Sequence, residues 1–289
     1  MSAQFGLETQ KESAQRMYNV RASKYEDSWH PQYSRRFIAH APLKPGDRVL
    51  SLCCGTGLDA FLAAEIVGEE GEVVGVDVSS GMLEQLRQRQ EREAQVGSRI
   101  KIIQHDVTDL DSLAGEGVEK ASFDAILCSC AFVLFNDPST VVAHWKEYIK
   151  PGGVLVIDIT HEYNLRSGIV LETVAKGMGI KYPSNREWIK SQESFKSILE
   201  AQGLHIESID LLENISGSGR QFHSIQGADS HYDSIVNSSL TRLSASEEFK
   251  SIAKPLFREA WKNAAVNGKV EDSDALYLYV ARKPEERLS

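Results

Sequence analysis

Apolar runs and amphipathic segments alternate along the first 160 residues of the chain. The apolar runs are short and typical of buried strands; they are "RVLSLCC", "GEVVGVDV", "RIKIIQHDV", "SFDAILCSC" and "GGVLVIDIT". Between them, segments such as "GLDAFLAAEIVG" and "SGMLEQLRQRQEREAQ" carry apolar residues at helical spacing. This alternation predicts an α/β domain with a mostly parallel sheet and helices on both faces.

The rhythm changes after Thr160. The segment "NREWIKSQESFKSILEAQG" predicts a helix, "LHIESIDLLE" a sixth strand, and "ALYLYVARKP" a seventh strand near the C-terminus. The residues between the last two strands, 214–274, are too many for a bare loop, so we expect them to form a cap over the strand ends. Within the cap, "ISGSGRQFHSIQGADSHYDS" is expected to be flexible, and the segment after it to be a helix kinked at Pro255.

These elements divide the chain into four parts of one structural domain. Residues 1–42 are expected to form an N-terminal helical lid, 43–213 the α/β core, 214–274 a helical cap insertion, and 275–289 the last strand and a tail. In sheets of this kind, ligands bind beyond the carboxyl ends of the strands, where the strand order reverses. The predicted strand ends therefore indicate where functional residues should lie.

Charge and composition narrow the class of partner. The chain has 289 residues with 32 basic and 41 acidic side chains, a net charge of −9, and no basic cluster interleaved with aromatics. This excludes nucleic acid as the favoured partner and favours a small molecule. No apolar stretch approaches the roughly 20 residues that span a bilayer, and no signal peptide is evident, so we expect a cytoplasmic protein without a membrane partner.

Four cysteines end two of the apolar runs: Cys53, Cys54, Cys128 and Cys130. This distribution argues against a disulfide framework and favours free thiols in a reducing compartment. A zinc site is not expected, because adjacent residues of a strand point to opposite faces. Most of these thiols are expected to be small buried hydrophobic side chains.

A glycine turn follows the first strand, and an acid ends the second. Gly55 and Gly57 allow a ligand to approach the backbone at the start of a helix, where several N–H groups converge. Asp77, about twenty residues further on, is placed to accept hydrogen bonds from two ribose hydroxyls. The pair predicts a nucleoside-containing ligand.

The motifs "VLSLCCGTG", "VVGVDVSSGML", "HDV", "FDAILCSCAFVLF" and "IKPGGVLVIDIT" occur in that order. In this the chain resembles class I S-adenosylmethionine-dependent methyltransferases, over residues 15–160. The Cys-Cys loop is similar to that of ubiquinone/menaquinone biosynthesis C-methyltransferases, and the layout of the last third resembles fungal small-molecule methyltransferases of secondary metabolism. The resemblance implies a Rossmann-like fold, S-adenosyl-L-methionine as cofactor with S-adenosyl-L-homocysteine as product, and a small organic acceptor methylated at oxygen, nitrogen, sulfur or carbon.

The resemblance also implies a set of cofactor-binding residues. Gly55 to Gly57 would face the methionine part, Asp77 the ribose and Asp106 the adenine amino group. The whole set is Tyr18, Arg21 and Tyr25 of the lid, then Cys54, Gly55, Thr56, Gly57, Asp77, Val78, Met82, Asp106, Val107, Cys128 and Ser129. Two residues depart from the family pattern: Ser51 stands where an acid is common, and Cys53 where a glycine is usual. A weaker hold on the cofactor's ammonium group would follow, unless Asp59 compensates.

Candidate catalytic and acceptor-binding residues follow from position. His161 comes directly after the fifth strand and His30 lies in the lid, and a histidine has a pKa suited to proton abstraction. Residues expected to line the acceptor pocket are Trp29, Phe132, Phe135, His223 and His231. The alternatives are loop histidines without a role and aromatic side chains that only pack in the core.

Other functions remain open to different degrees. A dehydrogenase is disfavoured because Cys53 fills the position two before Gly55 and "HDV" has no dehydrogenase role, although Ala60 would pass as the final small residue of the fingerprint. A binder of the same cofactor without methyl transfer, regulatory or using the sulfonium charge, stays open. So does an arsenite methyltransferase-like enzyme, with Cys130 in a plausible arsenic-binding position. The sequence leaves the acceptor atom and the oligomeric state undetermined.

Overall fold

The computed structural model describes residues 9–238, 241 and 246–285. The parts of the predicted lid, cap and tail that fall on 1–8, 239–240, 242–245 and 286–289 lie outside the described residues.

A seven-stranded sheet forms the centre of the molecule. The strands of the chain are β1 Arg48–Leu52, β2 Glu72–Asp77, β3 Ile100–Gln104, β4 Phe123–Cys128, β5 Ile149–Thr160, β6 His205–Glu213, β7 Arg220–Ser224, β8 Lys269–Ser273 and β9 Ala275–Arg282. The large sheet has the order β3-β2-β1-β4-β5-β9-β6, with β9 antiparallel to both neighbours and the pairs among β1 to β5 parallel. The order reverses between β1 and β4, which is where such a sheet binds its ligand.

Helices cover both faces of this sheet. Their bounds are α1 Gln10–Arg21, α2 His30–Ile38, α3 Leu58–Val67, α4 Ser80–Arg92, α5 Ala94–Gly97, α6 Pro138–Trp145, α7 Arg166–Gly177, α8 Gln192–Ala201, α9 Ala228–Val236 and α10 Glu247–Asn263. Adjacent strand residues point to opposite faces, so Val49 packs with Phe61 on one face while Leu50 packs with Trp145 and Phe195 on the other. The predicted α/β class and seven-stranded sheet are confirmed.

Local sequence sets several helix ends. Thr9 and Glu12 form a reciprocal capping box at the start of α1. The hydroxyl of Ser79 accepts a hydrogen bond from the Met82 amide and caps α4. Gly68, with φ +70°, ends α3.

The cap has its own apolar cluster. Leu171 of α7, Tyr232 of α9, and Phe257 and Trp261 of α10 are buried together with Val270 of β8. The short strands β7 and β8 pair as an antiparallel two-stranded sheet. The cap thus contains a helix from outside residues 214–274 as well as the predicted insertion.

The segment expected to be flexible is instead largely regular. It contains β7, a short 3₁₀ helix at Ile225–Gly227 and the start of α9. Its glycine-rich beginning is held by Asp274, whose carboxylate accepts hydrogen bonds from the amides of Ser216 and Ser218 at 2.8 and 3.1 Å. The expectation of flexibility was wrong because contacts with a residue about sixty positions away decide the conformation. Helix α10 continues through Pro255.

Candidate functional site

Two cavities open at the carboxyl ends of the parallel strands. The first, the glycine-loop cavity, has a volume of about 220 Å³ and lies between α1 and the ends of β1, β2, β3 and β4. The second, the cap cavity, has a volume of about 350 Å³ and lies between the lid, the end of β5 and the residues beside the cap. Tyr18, Cys130, Ala131 and Leu134 line both, so the two cavities adjoin.

The glycine-loop cavity brings together most of the residues that the motifs predicted for the cofactor. Those that line it are Tyr18, Tyr25, Gly55, Asp77, Val78, Met82, Asp106, Val107 and Ser129, and Phe135 joins them. Of the others, Arg21 lines the cap cavity. Among the described residues, the lining does not include Cys54, Thr56, Gly57 or Cys128.

The two glycines of the loop have different roles. A Cβ on Gly55 would meet only one atom within 4 Å, the Cys53 carbonyl oxygen at 4.0 Å, so this residue leaves room beside the backbone for a ligand. A Cβ on Gly57 would lie 2.0 Å from Leu86 Cδ1, and its φ of +84° is in the left-handed region. Gly57 is therefore required by the packing of α3 on α4.

The remaining loop residues outside the lining are buried elsewhere. The thiol of Cys54 lies against Gly75 of β2, where a Cβ would meet its Sγ at 3.1 Å. Thr56 is buried, and its Oγ1 has no hydrogen-bond partner within the described part of the chain. Cys128 belongs to the core of the sheet, and the neighbouring Cys53 thiol together with burial raises its pKa.

Asp77 is held in place by backbone amides. Its Oδ2 accepts from the Gly55 amide at 2.9 Å and its Oδ1 from the Ser79 amide at 2.8 Å. Burial raises the pKa of this carboxyl, while the two amides act in the opposite sense. The carboxylate faces the cavity with its position fixed, as binding of a ribose diol requires.

The lid is fastened to the core by polar contacts. Asn19 Oδ1 accepts hydrogen bonds from the Ser79 hydroxyl at 2.8 Å and the Gly81 amide at 2.9 Å. The guanidinium of Arg21 lies 5.6 Å from the ring centre of Tyr18 and 5.9 Å from that of Tyr25. These contacts place α1 directly over the glycine-loop cavity.

Asp59 lies behind the same cavity. Its Oδ2 accepts a hydrogen bond from the hydroxyl of Ser129, which lines the cavity, and its Oδ1 is buried without a partner among the described residues. Burial raises the pKa of the Asp59 carboxyl. Since Ser51 supplies no charge on β1, Asp59 is the acid placed to compensate for it, and this role stays a prediction.

The cap cavity contains an acid that sequence reasoning missed. Asp158 of β5 is only 2% exposed, accepts a hydrogen bond from the Tyr33 hydroxyl at 2.5 Å, and accepts from the Cys130 amide at 2.9 and 3.0 Å. Burial raises the pKa of this carboxyl to about 7. Its sequence signal was a single acid inside the apolar run "GGVLVIDIT".

His30, Trp29 and Phe132 line the cap cavity, where the sequence placed them. The ring of His30 stacks on Trp29 with centroids 3.9 Å apart, and its Nδ1 lies 2.5 Å from the Ser28 hydroxyl. Burial lowers the pKa of His30 to about 4, so the ring is neutral at physiological pH.

The other three predicted histidines lie elsewhere. The described residues that line the two cavities do not include His161, His223 or His231. The ring of His161 stacks on Tyr277 with centroids 5.1 Å apart. His223 and His231 contact each other in the cap, and His231 stacks on Trp261. Their catalytic and acceptor-binding roles stay predictions.

Further polar side chains that sequence reasoning missed line the cap cavity: Thr160, Asn164, Arg186, Ser216 and Asp274. Thr160 and Arg186 differ from the other three in their hydrogen bonding. Both have buried polar atoms without hydrogen-bond partners in the described part of the chain. Within those same residues, no group of three or more His, Cys, Asp or Glu side chains is placed to hold a metal ion. No described helix is long and apolar enough to cross a membrane.

Comparison with known proteins defines the class of this site. The family model described as "Methyltransferase domain" matches residues 43–203, which is more than half of the chain. The chain therefore belongs to this methyltransferase family, whose cofactor is S-adenosyl-L-methionine, as the sequence motifs predicted. Gly55, which leaves room for a ligand, and the fixed Asp77 carboxylate both fit that cofactor.

Among curated relatives, a 2-phytyl-1,4-naphtoquinone methyltransferase of Synechococcus elongatus is 32% identical over 140 residues, covering 47% of this chain and 55% of that protein. An arsenite methyltransferase of Aquipseudomonas alcaligenes is 26% identical over 197 residues, covering 64% of this chain and 56% of that protein. The chain thus spans about half the length of these two relatives.

A solved structure extends the likeness to almost the whole chain. The (4+2)-cyclase SpnF has a TM-score of 0.60 at 16% identity, and the match covers 96% of this chain and 97% of that one. At this identity the match shows the shared fold.

Proposed function

We propose that this protein transfers the methyl group of S-adenosyl-L-methionine to a small organic acceptor bound in the cap cavity. The observation that carries the proposal is that the two cavities adjoin at Tyr18, Cys130, Ala131 and Leu134. A ligand in one cavity would therefore lie beside a ligand in the other, as direct transfer requires. When bound, the cofactor supplies an electrophilic methyl group on a sulfonium centre.

The glycine-loop cavity would hold the cofactor through groups that are already in position. Asp77 would accept hydrogen bonds from the ribose hydroxyls, and Gly55 would let the methionine part approach the loop. Val78 and Met82 offer apolar contact for the adenine, and Asp106 an acceptor for its amino group. Tyr18 and Tyr25 would exclude water from above.

Asp158 is our candidate for the general base. It lines the cap cavity, and its pKa of about 7 places it between ionised and protonated forms at neutral pH. It would take the proton from an acceptor O–H, N–H or S–H group as the nucleophile bonds to the methyl carbon. Tyr33 would hold the carboxylate in one orientation. His30 shares the cavity but is a weak base, because burial lowers its pKa to about 4.

We do not infer the identity of the natural acceptor from the names of the relatives. The quinone methyltransferase match covers only 47% of this chain and 55% of that protein, so the acceptor of that protein is not assigned to this chain. We favour a biosynthetic reaction of secondary metabolism, in line with the layout of the last third of the chain. The free thiols of all four cysteines support a reducing compartment such as the cytoplasm.

Arsenite is the second candidate acceptor. Cys130 lines both cavities and Cys53 lines the glycine-loop cavity, so two thiols border the place where the cavities adjoin. Against it, no cluster of three ligating side chains occurs in the part of the chain that the structure describes. Incubation with arsenite and the cofactor would decide, since methylated arsenic is the only product that supports this candidate.

The test of the main proposal is titration calorimetry with S-adenosyl-L-methionine and S-adenosyl-L-homocysteine, followed by incubation of small-molecule extracts with methyl-labelled cofactor. We expect both compounds to bind and a labelled small molecule to form. Binding without any labelled product would instead favour a cofactor-binding protein without methyl transfer, as the shared fold of a cyclase permits. Failure to bind either compound would contradict the proposal.

A further inference from the structure

Arg186 is a buried arginine without a partner in the described part of the chain. Its side chain lines the cap cavity and is 8% exposed. Its Nε and Nη1 atoms are shielded from solvent and make no hydrogen bond to any described residue. The guanidinium also forms no ion pair within 4.0 Å with a described carboxylate. A guanidinium stays protonated at neutral pH, so this charge cannot be removed by titration.

The carboxylate that accepts a hydrogen bond from the Arg186 backbone amide is Glu172, and its oxygens are bonded by other groups as well. Glu172 is fully buried and accepts hydrogen bonds from the Lys176 ammonium at 2.7 Å, the Ser184 hydroxyl at 3.2 Å and the backbone amide of Arg186 at 2.8 Å. Lys176 also pairs with Glu187 at 3.2 Å, so its one positive charge is shared by two carboxylates, and Glu172 attracts the Arg186 charge from a distance. Neither carboxylate gives Arg186 Nε or Nη1 a hydrogen-bond acceptor. A buried N–H group without an acceptor is destabilising unless a ligand supplies one.

The residues that line the cap cavity with Arg186 indicate what kind of molecule would bind beside it. Trp29, Phe132 and Leu276 give the cap cavity apolar walls. The hydroxyl of Thr160 is a second buried group in this cavity without a partner among the described residues. The acids Asp158 and Asp274 also line the cavity, but their oxygens already accept backbone amide hydrogens. The cavity therefore suits a molecule with an apolar body and an oxygen anion placed at Arg186.

We propose that the methyl acceptor carries a carboxylate that pairs with Arg186 in the cap cavity. The inference rests on the proposed function, because it takes the cap cavity to be the acceptor site. A planar carboxylate matches the two parallel N–H donors of a guanidinium better than a point charge does. Anchored at Arg186, the acceptor would present its nucleophile on the side of Asp158 and the adjoining cavity.

The experiment compares acids with their uncharged amides on protein saturated with S-adenosyl-L-homocysteine. The probes are benzoate and benzamide, phenylacetate and phenylacetamide, and 2-naphthoate and 2-naphthamide, measured by ligand-observed NMR titration. We expect at least one acid to bind about tenfold more tightly than its amide. In Arg186→Gln this preference should disappear, and in Arg186→Lys it should be intermediate, while S-adenosyl-L-homocysteine binds within about twofold of wild type.

Arg220→Gln is the matched control. It makes the same change of charge in the cap, at an exposed arginine paired with Glu271, and should leave the acid preference intact. Equal binding of acid and amide in every pair would overturn the proposal, as would the absence of acid binding or a preference that survives Arg186→Gln. If the wild-type protein did not bind S-adenosyl-L-homocysteine, that result would instead contradict the proposed function.

Discussion

The glycine-loop cavity and the cap cavity differ in how their polar groups are satisfied. In the first, both oxygens of Asp77 accept backbone amide hydrogens, and Asp106 accepts from the amide and hydroxyl of Thr108. In the second, Thr160 and Arg186 bury polar atoms that have no partner among the described residues. One cavity is organised by its own backbone, whereas the other leaves groups for a ligand to complete.

The contrast has a physical basis in chain connectivity. Gly55, Asp77 and Ser79 are held together by short segments of neighbouring parallel strands, so a few backbone amides fix the site. The cap cavity is assembled from the lid, β5 and residues near the cap, which are far apart in the chain. We infer that the glycine-loop cavity binds one kind of ligand, whereas the cap cavity determines which acceptor is used. Four predictions test this difference between the two cavities.

The largest effect is expected from Asp158→Asn. Loss of the base should lower kcat by about 10²- to 10⁴-fold for an acceptor that must lose a proton, with binding of S-adenosyl-L-homocysteine unchanged. For the wild type, the rate should rise with pH through about 7, because the ionised carboxylate accepts the proton. The control is Asp229→Asn, which removes a surface acid paired with Arg258. An unchanged rate in Asp158→Asn would assign the chemistry to another group.

Asp77→Ala should act on the other cavity. The variant loses the ribose acceptor and the anchor of the Gly55 amide, so the Kd for S-adenosyl-L-homocysteine should rise by about 10- to 100-fold. Titration calorimetry measures this change, with Asp109→Ala at an exposed position as the control. Equal affinities of Asp77→Ala and wild type would mean that the cofactor binds elsewhere.

The raised pKa of Asp158 also predicts a dependence of stability on pH. Between the ordinary carboxyl pKa and about 7, the unfolded chain is ionised at this residue while the folded chain holds the proton. Wild-type stability should therefore fall as pH rises through this window, relative to Asp158→Asn, by about 1 kcal/mol for each pH unit. Chemical denaturation at about pH 5, 6 and 7 measures the difference. A constant difference would show that Asp158 is ionised throughout.

The smallest effect is expected from His161→Gln. This ring stacks on Tyr277 outside the lining of both cavities, so kcat and KM should change by no more than about twofold. His30→Gln, inside the cap cavity, is the matched comparison and should alter KM more. A large loss of kcat in His161→Gln would restore the role that its position after β5 suggested.

Much of the fold and of the cofactor side could be predicted from the sequence. Gly55 and Asp77 were identified from the turn after β1 and the acid that ends β2, and Asp106 from the family motif "HDV"; all three line one cavity. Gly57 has a packing reason that the sequence did not reveal, its contact with Leu86 of α4, and its role toward the cofactor stays a prediction. The lining of the cap cavity was predicted less completely: His30, Trp29 and Phe132 lie there, while Asp158 and Arg186 were missed.

By itself, the sequence determined the α/β class, the seven strands and the cofactor loop, because strand and helix periodicity and strand-end motifs depend on neighbouring residues. Only the tertiary structure decided which polar side chains are buried together. Asp158 meets Tyr33 across 125 positions of the chain. Arg186 Nε and Nη1 are left without acceptors among the described residues, while the oxygens of Glu172 accept from Lys176 and Ser184 instead. The pairing of charges in a low-dielectric interior depends on distances in space, and those distances carry no local pattern in the sequence.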